Sequence, residues 1–454
     1  MHKACKYYSF DGYGGGMNAN SPALQRLGKR FYLVDRQENK QLHTIDQLLT
    51  QVYQSGTSFA LFHGSTAGNH LMLLSHCKPG DRVIIPRNIH KSIMAAVIMS
   101  GVRPVYVEPQ YDPRLGLINN PSFAALEHSF LQNTGIRAVV ITCPTYDGIC
   151  ANLEQLSGLA RSRDAYLLVD EAHGPHFGFH PALPASALQQ GADAVVQSAH
   201  KVLSSLSQTA MLHLRRGSAL SGEVCDLRNW LMTSDVSPFL LRSFAGTMKQ
   251  MKTRRRELWG GALERIELVR EAIRSLDGLH CLEDQIHWGQ HWESWTFDPG
   301  KITVTVDELG ITGAEAAFYL DHEWRISVEL YGPSSFLLMF SPSNSPEHIH
   351  RLIKALGGLR SLANPKRRTE WYAPELPKAG PSVMIPRDAY FAAKRLVTAK
   401  SAVDCICGEI VAPYPPGIPI LMPGELVTAE TIAFIEEVYR YKGIKEEFRL
   451  LIIE

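Results

Sequence analysis

Two short apolar runs end in residues able to do chemistry. Leu167-Leu168-Val169 leads into Asp170-Glu171-Ala172-His173-Gly174, and Ala194-Val195-Val196 leads into Gln197-Ser198-Ala199-His200-Lys201. Each reads as a buried strand with a polar carboxyl end. A carboxylate at one such end and a lysine at the other suit pyridoxal phosphate. The lysine joins the aldehyde as a Schiff base, and the aspartate keeps the pyridine nitrogen protonated so that the ring withdraws electrons. Taken singly, each residue also reads as a solvated side chain in an ordinary loop; it is the pairing that favours the chemical reading.

A phosphate would need its own cradle. Phe59-Ala60-Leu61-Phe62 runs into His63-Gly64-Ser65-Thr66-Ala67-Gly68-Asn69 and then into a helix rich in Leu and Met. A turn of this kind at a helix mouth offers hydroxyls and free N–H groups to a dianion, while Ser65 and Thr66 serve equally as plain N-caps. Arg87-Asn88-Ile89-His90-Lys91-Ser92 occupies a second strand-to-helix loop, where an imidazole can stack on a ring or simply cap the helix. Gly12-Tyr13-Gly14-Gly15-Gly16 is not followed by a P-loop lysine and no strand precedes it, so an arm lying on a neighbouring subunit is the expectation there.

The elements that must hold these residues follow from periodicity. Phe59–Phe62, Arg82–Pro86, Pro104–Val107, Ala138–Thr142, the runs before Asp170 and Gln197, and Ala210–Leu214 read as strands alternating with helices. That pattern predicts a doubly wound α/β domain with ligands outside the carboxyl ends of its strands, where Ser65, His90, Asp170 and Lys201 all fall. Beyond Gly217 the chain turns helical and charged. Met248 to Arg256 carries five basic residues, read as a solvated helix face. The expected organisation is an N-terminal arm over 1–45, a large cofactor-binding α/β domain over 46–275 and a smaller α+β C-terminal domain over 276–454.

Composition sets limits. The 454 residues, 45% hydrophobic and 20% charged with a formal net charge of +1, describe an ordinary globular chain with room for two or three domains. They give no electrostatic reason to expect nucleic acid or an anionic membrane as partner. No leader or spanning segment is recognised, so a cytoplasmic location is expected. The eight cysteines are scattered, and Cys405-Ile406-Cys407 has no second pair to complete a zinc site; reduced thiols and no metal are expected.

Beyond these local readings, several motifs in order resemble the bacterial ornithine/lysine/arginine decarboxylases. They are Gly64-Ser65-Thr66-Ala67-Gly68-Asn69, Arg87 to Ser92, Pro144-Thr145-Tyr146, Asp170 to Phe177, Ser198-Ala199-His200-Lys201, and Pro415 to Pro419 with Pro423-Gly424-Glu425. The resemblance implies the aspartate aminotransferase fold (fold type I) in the compact form without an extra N-terminal domain, and decarboxylation of arginine, lysine or ornithine to the amine. It implies Lys201 as the Schiff-base lysine, Asp170 as partner of the ring nitrogen, His90 and Ala172 on the ring faces, and His173 beside the substrate. Ser65, Thr66, Ser198 and His200 would hold the phosphate. It also implies a homodimer or larger assembly with active sites at the interface.

Two departures from the family pattern lie where the substrate would be read. Tyr13 to Asn18 replaces a Pro-Gly-His-Lys-like segment, and Thr233-Ser234-Asp235-Val236-Ser237-Pro238 with Arg242 replaces a Thr/Ser-rich segment. Ser234, Asp235, Arg242 and Glu425 are therefore candidate substrate residues: Asp235 and Glu425 for a cationic group, Arg242 for a carboxylate. Asp235 reads equally as a solvated loop acid. The alternatives are a relative with altered Cα chemistry, such as transamination or elimination, or a non-catalytic cofactor-binding paralogue.

Overall fold

The computed structural model describes residues 38–112, 117–233, 235–285, 296–367, 376–412, 419–441 and 447–454. The Gly-rich stretch at 12–16, Ser234 and the Pro-rich loop at 413–418 lie outside the described residues.

The large sheet is built from β1 (Thr57–Leu61), β2 (Arg82–Pro86), β3 (Arg103–Val107), β4 (Ile136–Thr142), β5 (Tyr166–Asp170), β6 (Ala194–Ser198) and β7 (Ala210–Leu214). Its order is β1-β7-β6-β5-β4-β2-β3, with β7 antiparallel to both neighbours and the other pairs parallel. Because side chains alternate along a strand, these apolar runs feed two cores at once. Val83, Ile85, Val140, Leu168 and Val196 pack on one face, and Ile84, Val139, Ile141, Leu167, Val169 and Val195 on the other. Strands buried on both faces read as continuous apolar runs, which is why they stand out in the sequence.

Helices connect them: α1 (Glu38–Tyr53), α2 (Gly64–His76), α3 (Lys91–Ser100), α4 (Phe123–Gln132), α5 (Leu153–Ser162), the short α6 (Ala199–Val202), α7 (Ser221–Leu231) and the long α8 (Pro238–Arg274). Pro238 opens α8 at a position where its missing N–H costs nothing. The basic run on α8 is a solvated face, as expected: Arg254 pairs with Glu257, and Lys252 bonds Gln51.

A second sheet has the order β8-β9-β11-β10, from β8 (His280–Cys281), β9 (Lys301–Thr305), β10 (Leu330–Tyr331) and β11 (Ser335–Met339). Helices α9 (Gly313–Trp324) and α10 (Pro346–Gly358) cover it, each opened by a capping box, Thr312 with Glu315 and Ser345 with His348. Thr296 and Phe297 do not join this sheet; they pair with Cys150 and Ile149 after β4. A further cluster, including Leu421, Ile435, Leu450 and Ile452, packs α11 (Ala429–Tyr441) on the antiparallel pair of β12 (Lys394–Thr398) and β13 (Arg449–Ile453). Cys77, Cys143, Cys150, Cys225, Cys281, Cys405 and Cys407 are free thiols. Among the described residues no cluster suits a metal ion, and no helix is long and apolar enough to cross a membrane.

Candidate active site

The carboxyl ends of β1, β2, β4, β5 and β6 share one edge of the large sheet, and a cleft of about 640 Å³ opens there. It is lined by Ser65, Thr66, His90, Asp170, Ala172, His173, His200 and Lys201 among others. Residues some 130 positions apart in the chain are thus brought together because parallel strands present like ends to the same side.

Asp170 ends β5 and is only 3% exposed. Its Oδ2 accepts from Asn69 Nδ2 at 2.8 Å and its Oδ1 from the Ala172 N–H at 3.1 Å. Asn69 Nδ2 also donates to Ser92 Oγ at 2.9 Å, and His90 Nδ1 caps α3 by accepting the Ser92 N–H. One network therefore orients the carboxylate and the imidazole. Burial pushes the His90 imidazole below its ordinary value, with Asp170 opposing.

Lys201 lies on α6, and its Nζ is 2.9 Å from His173 Nε2. Burial lowers the Lys201 amine, opposed by the charges of Asp170 and Glu329. His173 is held well below its ordinary value, first by burial and then by the cations Lys301 and Lys201, with His90 and His176 adding to it. A neutral imidazole facing a weakened ammonium can pass a proton at short range.

The other end of the cleft suits an anion. The first turn of α2 carries Ser65 and Thr66 and receives no side-chain cap from His63, while the Gly64 N–H bonds the Gln208 carbonyl at 2.9 Å. Gly68 lets α2 lie on β6: a Cβ there would sit 2.6 Å from Val196 Cγ1. Ser198 Oγ is fully buried and has no hydrogen-bond partner among the described residues. His200 Nδ1 contacts the Thr209 carbonyl at 2.9 Å. Ser198 ends β6 and is not among the residues lining the cleft. A helix mouth without a side-chain cap fits a phosphate group, and the lysine, aspartate and imidazole fit the aromatic aldehyde that would carry it.

The candidate substrate residues divide. Asp235 lines the cleft. Arg242 is exposed on α8 and is not brought to the cleft lining. Glu425 requires correction: it does not face the cleft but is 1% exposed, accepting from Arg87 at 2.6 and 3.2 Å and from the Met422 N–H at 2.9 Å. A buried guanidinium needs a planar anionic partner, and Glu425 supplies it. Asn69 was not singled out from sequence, although it stands one helical turn from Ser65 in the same motif. Tyr146 stands in the sequence only as a member of the Pro144-Thr145-Tyr146 motif, with no role of its own; its ring meets His173 edge-on at 5.2 Å.

Comparison with known proteins agrees with this geometry. Residues 37–348 match the family described as Orn/Lys/Arg decarboxylase, major domain, and residues 372–448 match its C-terminal domain. An arginine decarboxylase from Halalkalibacterium halodurans is 35% identical over 395 residues, 86% of this chain and 79% of that protein. One from Bacillus subtilis is 33% identical with the same coverage. In fold, the chain is similar to lysine decarboxylase A from Pseudomonas aeruginosa, with a TM-score of 0.78 at 19% identity, covering 91% of this chain and 71% of that one.

Proposed function

Because the chain belongs to the Orn/Lys/Arg decarboxylase family and is thereby a decarboxylase, we propose that it removes the α-carboxylate of a basic L-amino acid as carbon dioxide, using pyridoxal phosphate. The observation that carries this reading is the 2.9 Å contact between Lys201 and His173 in the cleft that also holds buried Asp170. Arginine is the first substrate to test, supported by the two arginine decarboxylases at 33–35% identity.

Lys201 would hold the cofactor at its aldehyde, Asp170 at the ring nitrogen, His90 and Ala172 at the ring faces, and Ser65, Thr66, Ser198 and His200 at the phosphate. When bound, the cofactor supplies an electron sink for the pair left as carbon dioxide departs. The residues around it do the rest. The lowered Lys201 amine is more readily neutral and nucleophilic at ordinary pH. Asp170 presents a carboxylate fixed in orientation by two donors. His173 and Lys201, in contact, are the groups able to deliver the proton that replaces the carboxylate on Cα. Asp235 at the cleft wall is the acid that would meet a cationic side chain, with Ser234 beside it in sequence.

We take the active form to be a homodimer. Leu206, Trp230, Leu231 and Phe239 stand exposed, next in sequence to the cleft segments around Ser207, Thr233 and Leu240, and large apolar side chains grouped this way favour burial by a partner.

The test is a panel of arginine, lysine and ornithine given to the cofactor-loaded protein, following carbon dioxide and amine together, with Lys201→Ala alongside. Equal amounts of gas and amine from one of them, abolished in the variant, are expected. Keto acid or ammonia in place of the amine would replace decarboxylation by another reaction at Cα, and turnover no higher than the variant's on every substrate would leave only a cofactor-binding protein.

A further inference from the structure

Lys301 is an ammonium buried outside the groups assigned above. It sits in β9 of the second sheet, is 2% exposed, and donates to the Tyr146 carbonyl at 2.7 Å and the Thr145 carbonyl at 3.2 Å. Those carbonyls belong to the turn that follows β4, across the junction between the two sheets. The same turn is gripped from the same side three more times. The Asp298 N–H donates to the Gly148 carbonyl at 2.7 Å, Thr303 Oγ1 donates to Asp147 at 3.2 Å, and Thr296–Phe297 pairs with Ile149–Cys150.

Two further contacts carry the turn to the reacting groups. The Tyr146 ring, in the cleft wall, packs edge-on against His173, and His173 Nε2 is 2.9 Å from Lys201 Nζ. Behind His173 the anchor is closed by Asp298, which takes a 2.9 Å hydrogen bond from His176, itself stacked on Trp259 with ring centroids 4.4 Å apart.

We propose that Lys301 is a positioning residue of the decarboxylation: by holding the Tyr146 and Thr145 carbonyls from the second sheet it seats the Tyr146 ring against His173 and so fixes His173 over Lys201. The inference rests on the decarboxylase reading and adds to it a residue that touches neither substrate nor cofactor. Burying an ammonium is expensive unless every donor has a use, and here the cation is flanked by Asp298 and Asp147, with Glu329 and Lys201 also within electrostatic reach. Burial depresses it to about 8. Its positive charge acts on His173 together with Lys201, His90 and His176, so the pH response of the site reports on it.

Lys301→Met, Lys301→Arg and Tyr146→Ala are compared with the wild type as cofactor-loaded full-length protein. Lys301→Met is expected to lower kcat about tenfold or more, since small misplacements of reacting groups are costly, and to leave KM within about twofold. Loss of the neighbouring cation makes nearby groups easier to protonate, so the pH midpoint of the bound cofactor's visible absorption moves up. Lys301→Arg keeps the charge, so that midpoint stays while kcat falls, because the longer fork cannot put a single donor between the carbonyls.

A folded Lys301→Met with wild-type kcat, or with an unmoved midpoint, overturns the proposal. Should neither Lys301 variant fold, Tyr146→Ala decides, because its side chain is 40% exposed and its loss is tolerable to the fold; wild-type kcat in that variant overturns the proposal as well. The absorption midpoint is read without turnover. Failure of the decarboxylase reading, seen as a wild type that releases no carbon dioxide, is therefore distinct from failure of the Lys301 assignment.

Discussion

A buried hydroxyl with no partner costs about 1–3 kcal/mol, and Ser198 Oγ is such a group at the end of β6. Three other groups assigned to the cofactor have partners within the protein: Asp170 in Asn69 and a backbone N–H, His90 in Ser92, His200 in the Thr209 carbonyl. Ser198 is thus a residue at which the fold and the ligand make opposite demands. Ser198→Ala is expected to raise the stability of the cofactor-free protein by about 1 kcal/mol, because the orphan is removed. It is also expected to weaken cofactor binding by about tenfold or more, as loss of a hydrogen bond to a charged group should. Urea unfolding without cofactor and fluorescence titration with it measure the two signs. A variant that is less stable and binds unchanged would assign the hydroxyl a purely structural role.

At the scale of elements, Arg87 and Glu425 tie the exit of β2 to the segment before α11. The guanidinium also donates to the Ile420 carbonyl at 2.8 Å and lies 5.3 Å from the Tyr106 ring centroid. Removing one member of a buried pair strands the other, at about 3–5 kcal/mol. Glu425→Ala is therefore expected to lose stability of that order while the surviving folded enzyme keeps its KM; a raised KM with unchanged stability would return Glu425 to substrate recognition. The pair also marks where sequence reading ends. Strand ends at Asp170 and Ser198, the mouth of α2 at Gly64 and the His90 cap of α3 were legible because periodicity and capping are local. Arg87 and Glu425 are 338 positions apart, and no local pattern told whether a glutamate after Pro423-Gly424 faces a cleft or a buried arginine. The pairing of Thr296–Phe297 with Ile149–Cys150, and the outward direction of Arg242 on α8, depend likewise on how distant elements meet. Asn69 was within reach, since a residue four positions after Ser65 shares its helix face.

For the whole molecule, the same close packing that aligns the strand ends buries histidines that must stay neutral. His76 is pushed down to about 4 by burial, opposed by its bond to the Met72 carbonyl, and His213 to about 3 by burial alone. His213 is fully enclosed between Ser58, Gln197 and the Tyr53 ring. In the unfolded chain both regain the ordinary value of about 6.5. Between that value and the folded ones the unfolded state binds more protons, so stability is full above pH 6.5 and falls as the pH drops through that window. Each histidine then removes up to about 1.4 kcal/mol per pH unit. Lys301 titrates in a different window and with the same sign: its folded value of about 8 lies below the ordinary 10.5, so it makes stability rise from pH 8 toward 10.5 and is flat across the acid range. Acid sensitivity is thus set by the histidines and not by the buried ammonium beside the site. Urea midpoints at pH 7 and pH 5 are expected to show a marked loss in the wild type, and His213→Asn, which can keep a bond to Ser58 without titrating, is expected to recover only a part of that loss, because His76 and His173 are held down as well. An equal loss in the variant would place the acid sensitivity on groups other than His213.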